Sequence, residues 1–363
     1  MRWTAFVVVV VALWVAVGAG QTVQYVGRVQ QSSTVSGAVE FEWSNVEIHT
    51  SGKAIEALLD SNGNVFEVFV DGVSVGLINT TSGVRQYTVA SGLSTGVTHS
   101  VVLRKRTEAL FGVVTFHGFE VAGASSGDDG ERFFIPAVKA TMRPKALESR
   151  RIEFVGDSIS CGYGIEGHPP CPFTAATENS GLTYGSLIAK SLSAELHLEC
   201  WSGRGVVRNY GDKNITSAEP FPSLFPRTLP TAHDSAWHFG VWTPQAVVIN
   251  LGTNDYSTQP APPQDIFEEG YQKFVEYIYS QYKGNHETPH FFLACGPMIS
   301  QPCCSYVKNV VDKEKAKGVN ITYIDMQHIL SPEDHGCAGH PSVSGHRKMA
   351  GVAGPVIKAA MGW

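Results

Sequence analysis

Charge is scarce in this chain of 363 residues: Asp, Glu, Lys and Arg together make up 17%, with a net charge of −6. Without a basic excess there is no electrostatic footing for nucleic acid or an anionic membrane surface, and neither partner is expected. No two of the seven cysteines stand as C-x-x-C, and the histidines near them lack zinc-finger spacing. A metal site is therefore not expected, and the chemistry read from the motifs below needs no organic cofactor. Cysteine is missing altogether from the first 150 residues, so the chain is not uniform. Beyond residue 17 no apolar run approaches the ~20 residues of a membrane-spanning helix. Before residue 150 there is also little helical periodicity, only a weak signal over Lys53–Leu59.

The start of the chain is the exception. Arg2 is followed by an unbroken apolar run from Ala5 to Val17, then by Gly18-Ala19-Gly20. A positive start, a short apolar centre and small residues read as a secretory signal peptide over residues 1–20. The competing reading is a membrane anchor, for which the run is short. Secretion gives the cysteines an oxidising compartment. Cys161 and Cys171 could close a short loop, and Cys303 or Cys304 could reach Cys337. The sequence does not decide the pairing, and an odd count leaves a thiol over. Asn79-Thr80-Thr81, Asn214-Ile215-Thr216 and Asn320-Ile321-Thr322 are glycosylation sequons, in keeping with a secreted protein. The oligomeric state is not legible.

With 43% hydrophobic residues and this length, two globular domains are expected. Residues 21–140 read as a β-sandwich. Val65–Val70 runs through Asp71-Gly72 into Val73–Ile78, a hairpin signature. Val39–Trp43, Ser100–Lys105 and Gly112–Val121 are further strand-like runs. Residues 122–150, rich in Gly, Ser, Asp and Lys, read as a connector. Such a domain packs or positions its neighbour, or binds sugar.

Residues 150–363 alternate instead. Strands are expected at Arg151–Val155, Glu199–Trp201, Ala246–Leu251, His290–Cys295 and Asn320–Ile324. Helices are expected at Tyr184–Leu196, Pro263–Tyr282, Val307–Lys317 and Gly345–Met361. Strand–helix alternation argues for a parallel sheet covered by helices, with functional groups at the carboxyl ends of its strands.

Three of those ends carry reactive-looking residues: Gly156-Asp157-Ser158, Ser202-Gly203-Arg204-Gly205 and Gly252-Thr253-Asn254-Asp255. His340-Pro341 stands just before the last helix. Ser158 can act as a nucleophile only if a base takes its proton, and imidazole suits that role near neutral pH. His340 is the candidate base. The Ser158 and Gly203 backbone N–H groups and the Asn254 amide could form the oxyanion hole, with glycine at 203 leaving room for the acyl group. Trp237 and Trp242 are weaker candidates for stacking on a sugar ring. His346 reads as a packing residue of the last helix.

Gly156-Asp157-Ser158-Ile159, Ser202-Gly203, Gly252-Thr253-Asn254-Asp255 and His340-Pro341 together resemble the four blocks of the SGNH (GDSL-type) hydrolases. The longer strings Gly156–Gly164, Thr177-Glu178-Asn179, Ser202–Gly205, Gly296-Pro297-Met298 and Gly336-Cys337 resemble the carbohydrate esterase family 2 acetyl esterases. That resemblance covers nearly the whole mature chain. It implies a jelly-roll β-sandwich followed by a flavodoxin-like three-layer α/β/α hydrolase domain. It also implies a secreted, acetylxylan esterase-like enzyme that removes O-acetyl groups from polysaccharides or oligosaccharides through an acyl-enzyme.

One feature departs from the pattern. The superfamily's acid stands three residues before the histidine, where this chain has Cys337; the family 2 acid stands two before it, where this chain has Ala338. Either a backbone carbonyl holds the ring of His340, as in some family 2 esterases, or Asp334 reaches it from a displaced position, or the enzyme is impaired. Asp157 and Asp255 read as supports of their loops. The rival functions are a lipid or thioester esterase, which needs a long apolar acyl pocket, and a sugar-binding protein with a decayed site.

Overall fold

The computed structural model describes residues 23–52, 54–94, 97, 99–122, 132–139, 141–142, 150–284 and 288–363. The signal-peptide expectation falls outside these residues. No helix among them is long and apolar enough to cross a membrane.

The first domain is two β-sheets packed face to face. One runs Thr141–Met142, Gln24–Val26, Glu47–Gly52, His99–Lys105, Val65–Val70, Val73–Asn79. The other runs Gln30–Gln31, Val39–Phe41, Val114–Ala122, Ile55–Asp60, Val84–Ala90, with Arg132–Pro136 also paired to Val114–Ala122. All pairings are antiparallel except that of Gln24–Val26 with Thr141–Met142. Between the sheets lie Phe41, Ile48, Phe66, Leu103, Phe116 and Phe119. The Asp71-Gly72 turn has positive φ at both residues (51° and 81°), the twist that a two-residue hairpin needs.

Two expectations are corrected here. The weak helix at Lys53–Leu59 is the strand Ile55–Asp60, because Ile55, Ala57 and Leu59 point inward at a period of two. The connector read over 122–150 contains two sandwich strands, Arg132–Pro136, registered against Gly118–Ala122, and Thr141–Met142, paired with Gln24–Val26; its stretches 123–131 and 143–149 lie outside the described residues.

The second domain is a five-stranded parallel sheet in the order Ala194–Cys200, Arg150–Gly156, Ala246–Asn250, His290–Cys295, Ile321–Asp325. Residues alternate between its faces. Val247, Ile249, Phe291 and Leu293 pack under the helices Gln264–Tyr282 and Cys303–Ala316. Ile152, Phe154, Val248 and Phe292 pack under Tyr184–Ser191 and Val343–Met361. This is the expected three-layer arrangement after a β-sandwich. The helix expected over Tyr184–Leu196 ends at Ser191; Ser193 turns at a φ of 52°, and the chain enters the strand Ala194–Cys200. Good helix formers at Ala194–Leu196 lose there to pairing with Arg150–Ile152.

The first strand lies between the second and third. That order reverses the direction of the crossovers and opens a crevice at the carboxyl ends of Arg150–Gly156 and Ala246–Asn250.

The disulfides differ from the closures considered above. Cys161 pairs with Cys200, Cys171 with Cys337, and Cys295 with Cys304, leaving Cys303 free and buried. Cys161 meets Cys200 because both sit at the carboxyl ends of neighbouring strands, where Gly156 is registered with Cys200.

The two domains share a polar seam. The buried Arg28 guanidinium of the sandwich stands 3.0 Å from Glu153 and 3.1 Å from Glu199 of the sheet. Glu42 accepts hydrogen bonds from the Thr231 N–H and hydroxyl.

Candidate active site

The strand Arg150–Gly156 delivers its last residue into a tight turn. A Cβ at Gly156 would fall 2.6 Å from the Ser160 Cβ, so only glycine permits it. Asp157 then caps a single helical turn, Ser158–Cys161, by accepting the Ile159 N–H at 3.0 Å. Burial pushes its carboxyl up to about 7. The turn sets the Ser158 hydroxyl at the mouth of the crevice.

His340 reaches that hydroxyl from the other end of the chain. Its Nε2 lies 2.8 Å from Ser158 Oγ, and its Nδ1 lies 3.3 Å from the Ala338 carbonyl oxygen. A carbonyl only accepts, so Nδ1 carries the proton and the Nε2 lone pair faces the serine. The ring rests 4.4 Å from Tyr163, which stacks on Phe173 at 3.7 Å. Burial holds the imidazole down to about 4.

The loop that carries His340 is tightly wound. Ala338 and Gly339 both have positive φ (52° and 74°). The Cys337 N–H donates to Gly164 O at 3.0 Å, and the Ala338 N–H donates to Cys171 O at 3.2 Å. The Cys171–Cys337 disulfide ties the loop to the segment that follows the serine turn. Asp334 does not reach the ring. Its carboxylate accepts from the Ser331 N–H (2.9 Å) and hydroxyl (2.6 Å), from the Ser344 hydroxyl (2.8 Å) and from Lys348. These donors hold it well below the usual carboxylate range and commit it to anchoring the last helix.

Two further loops close the crevice. Gly203 has φ 79°, which a side chain disfavours. That conformation favours glycine there, and an added Cβ would meet only the Tyr210 Cβ at 3.7 Å among the protein atoms. The Asn254 amide nitrogen is 2.8 Å from Arg204 O and 3.2 Å from Asp157 Oδ2, so it links all three strand-end loops. Asp255 accepts the Val206, Val207 and Arg208 N–H groups at 2.8–2.9 Å and so shapes the loop after Gly203.

Trp237 and Trp242 are corrected: both are buried away from the crevice. Trp242 donates to Glu195 and stacks on His197 at 3.6 Å. Glu195 and His197 are registered with Arg151 and Glu153, toward the amino end of the strand that delivers Ser158 at its other end. Trp237 packs beside His197 and under Arg28 in the domain seam. His346 is buried and accepts the Tyr184 N–H at Nδ1. Among the described residues, one trio has ligand atoms close enough to share a cation: Glu108, Cys161 and Glu178. Cys161 is already bonded to Cys200, which removes it as a thiolate ligand.

Sequence reasoning passed over Phe173 and the Cys171 partner of the His340 loop; it named a backbone carbonyl for the His340 ring without saying that Ala338 would supply it. Tyr163 was visible within the Gly156–Gly164 string, but nothing there tied it to a histidine 177 positions later.

Residues 25–126 match the carbohydrate esterase 2 N-terminal family, and residues 152–351 match the GDSL-like lipase/acylhydrolase family. The cellulase/esterase CelE of Acetivibrio thermocellus is 33% identical over 349 residues, 93% of this chain. The chain spans 39% of that relative's length. An acetylxylan esterase / glucomannan deacetylase of Cellvibrio japonicus is 30% identical over 345 residues, covering 90% of this chain and 88% of that one. A solved family two carbohydrate esterase from Clostridium thermocellum, in complex with cellohexaose, superposes with a TM-score of 0.80 at 32% identity, covering 94% of this chain and 99% of that one.

Proposed function

The chain belongs to carbohydrate esterase family 2, and from that premise we propose that it is a secreted serine esterase that removes O-acetyl groups from polysaccharides or oligosaccharides. The observation that carries this reading is the 2.8 Å approach of His340 Nε2 to Ser158 Oγ, with Nδ1 directed at a carbonyl oxygen. Ser158 Oγ attacks the acetyl carbonyl carbon while His340 Nε2 takes the hydroxyl proton. Negative charge collects on the former carbonyl oxygen. The Ser158 and Gly203 N–H groups and the Asn254 amide receive it, Asn254 exchanging its 3.2 Å bond to Asp157 for the substrate oxygen. The imidazolium passes its proton to the sugar oxygen as the C–O bond breaks. Water, deprotonated by His340, then attacks the acetyl-enzyme, and acetate leaves.

No carboxylate steadies the imidazolium in this scheme. The Ala338 carbonyl dipole, the Tyr163 face and the disulfide-tied loop hold the ring instead. A carbohydrate substrate is favoured by the relatives, one named for deacetylating xylan and glucomannan and one solved with a cello-oligosaccharide. Secretion is favoured by the apolar leader and by three disulfides, and the three sequon asparagines are exposed.

The test is acetate release from acetylated xylan or glucomannan and from an aryl acetate, with Ser158→Ala alongside. Wild-type release that the variant lacks is the expected result. Faster turnover of long-chain acyl esters than of acetate would favour the lipid esterase reading. Equal inertness of both proteins on every ester would leave sugar binding by a decayed scaffold.

A further inference from the structure

One sandwich carboxylate hydrogen-bonds directly to a strand-end loop of the crevice. Glu108 follows the strand His99–Lys105 and opens the short turn Ala109–Phe111. Its carboxylate crosses the domain seam and is wholly buried. Oε2 accepts the Ser202 N–H at 2.6 Å, and Oε1 accepts the Ser202 hydroxyl. Ser202 immediately precedes Gly203, so these bonds fix one end of the peptide unit that carries the proposed oxyanion donor. The Tyr210 N–H, donating to Gly203 O at 2.8 Å, fixes the other side of that residue.

Behind Glu108 stands a second buried carboxyl, Glu178, whose Oε2 accepts the Glu108 N–H. The nearby ammonium of Lys105 donates to backbone oxygens of Glu42, Thr107 and Glu108 rather than to either carboxyl. Three buried acids, Glu42, Glu108 and Glu178, face this one cation, and the adjoining Glu108 and Glu178 cannot both stay ionised cheaply. Both Ser202 hydrogens point at Glu108, which makes Glu108 the ionised member, with the shared proton on Glu178.

We infer that Glu108, supplied by the β-sandwich, is a positioning residue that holds the Ser202–Gly203 peptide in register to receive the oxyanion. The inference rests on the serine-esterase reading above. It gives the sandwich a part in the chemistry, beyond packing or sugar binding. The other seam contacts differ in kind: Arg28 meets the strand carboxylates Glu153 and Glu199, Glu42 meets Thr231, Arg106 meets Glu166 and the Glu178 carbonyl, and Phe111 packs on Phe173; none of these bonds a proposed oxyanion loop.

The experiment uses the full chain with Glu108→Gln and Glu108→Asp, and Glu42→Gln as a seam control. Three quantities are read: kcat and KM on an aryl acetate, the rate of Ser158 phosphonylation by an aryl phosphonate, and the melting temperature. The phosphonate adduct places an oxygen in the same hole without needing deacylation. Misplacing a transition-state donor by about 1 Å costs up to about 100-fold. Glu108→Gln and Glu108→Asp should therefore lower kcat and phosphonylation together by about tenfold or more, with KM within about threefold. Glu42→Gln should leave both rates within about twofold. Glu108→Asp keeps the charge but withdraws it by one methylene, so it reports position even if the other variant folds poorly. The inference is overturned if either folded Glu108 variant keeps wild-type kcat and phosphonylation, or if Glu42→Gln loses as much. A wild type inert to both reagents would instead remove the serine-esterase reading itself.

Discussion

In the proposed mechanism His340 works without an acid, and its titration should show it. Burial holds the imidazole down to about 4, and no carboxylate offsets that. The base is active when neutral, so kcat/KM should be full above the limb and fall as pH drops through about 4. At pH 5.5 about 97% of such an imidazole is neutral, against about 9% of one titrating at the ordinary 6.5. Ala338→Asp is the informative perturbation. It restores a carboxylate two residues before the histidine, at a position with φ 52° and ψ 31° that aspartate tolerates. An opposite charge within reach of the ring raises its pKa by about 1–3 units. The acid limb should move up to between about pH 5 and 7, and at pH 5.5 a two-unit shift would leave about a quarter of the variant in the active form. Its plateau above the limb should rise, since the imidazolium formed in the transition state gains a partner. Acetate release measured from pH 3.5 to 8.5 reads both effects. A wild-type limb near 6.5, or an Ala338→Asp limb that stays near 4, would refute the claim that burial without an acid sets this histidine.

The disulfide beside His340 should matter to turnover more than to binding. Cys171→Ser with Cys337→Ser, compared on kcat and KM, should lose about tenfold or more in kcat as the loop loosens, at near-constant KM; unchanged kcat would show that the backbone bonds suffice. Gly203→Ala forces a side chain into a φ of 79°, costing about 1–2 kcal/mol locally. It should displace the oxyanion donor, so phosphonylation of Ser158 should slow by about tenfold or more while the melting temperature moves by a few degrees. His346, buried and held down to about 3, binds its proton in the unfolded chain near 6.5 but not in the folded one. The His346 contribution to folding stability should therefore decline by about 2–3 kcal/mol as pH falls from 6.5 to 4.5, read in urea titrations as the difference between wild type and a His346 variant, since His340 adds a loss of the same sign and Asp157, pushed up to about 7, a gain. His346→Asn retains an acceptor for the Tyr184 N–H and should flatten that decline; an unchanged slope would assign the loss to other groups.

What could be read from the sequence follows from how tightly each feature constrains side-chain identity. The Asp71-Gly72 hairpin and the alternating inner positions of the sandwich were legible because turn geometry and burial each demand particular residues. The strand-end loops around Ser158, Gly203 and Asn254 were legible for a similar reason: the floor of a crevice demands residues that are both small and polar, directly after strands that are buried and apolar. Ile55–Asp60 misled because a short apolar run with both periods present is decided by its sheet neighbours, here Val114–Ala122 and Val84–Ala90. The tryptophans misled because a large aromatic side chain suits a buried seam as well as a sugar site, and Arg28 and His197 claimed these two.

The group that orients His340 was hidden more deeply. A backbone carbonyl belongs to every residue, so selection for it leaves no preferred side chain at position 338. What such a carbonyl needs is a loop that cannot turn it away. That requirement does leave a trace, next door: Cys337 stands where the superfamily's acid would be, and its partner Cys171 ties the loop to the segment following Ser158. The absent acid and the cross-link thus meet at one position of the chain. In place of an ionic partner, the ring has a constraint on the backbone that carries it. Such a constraint holds the imidazole's tautomer and direction but leaves its pKa to burial, and the acid limb and the Cys171 variants read those two consequences separately.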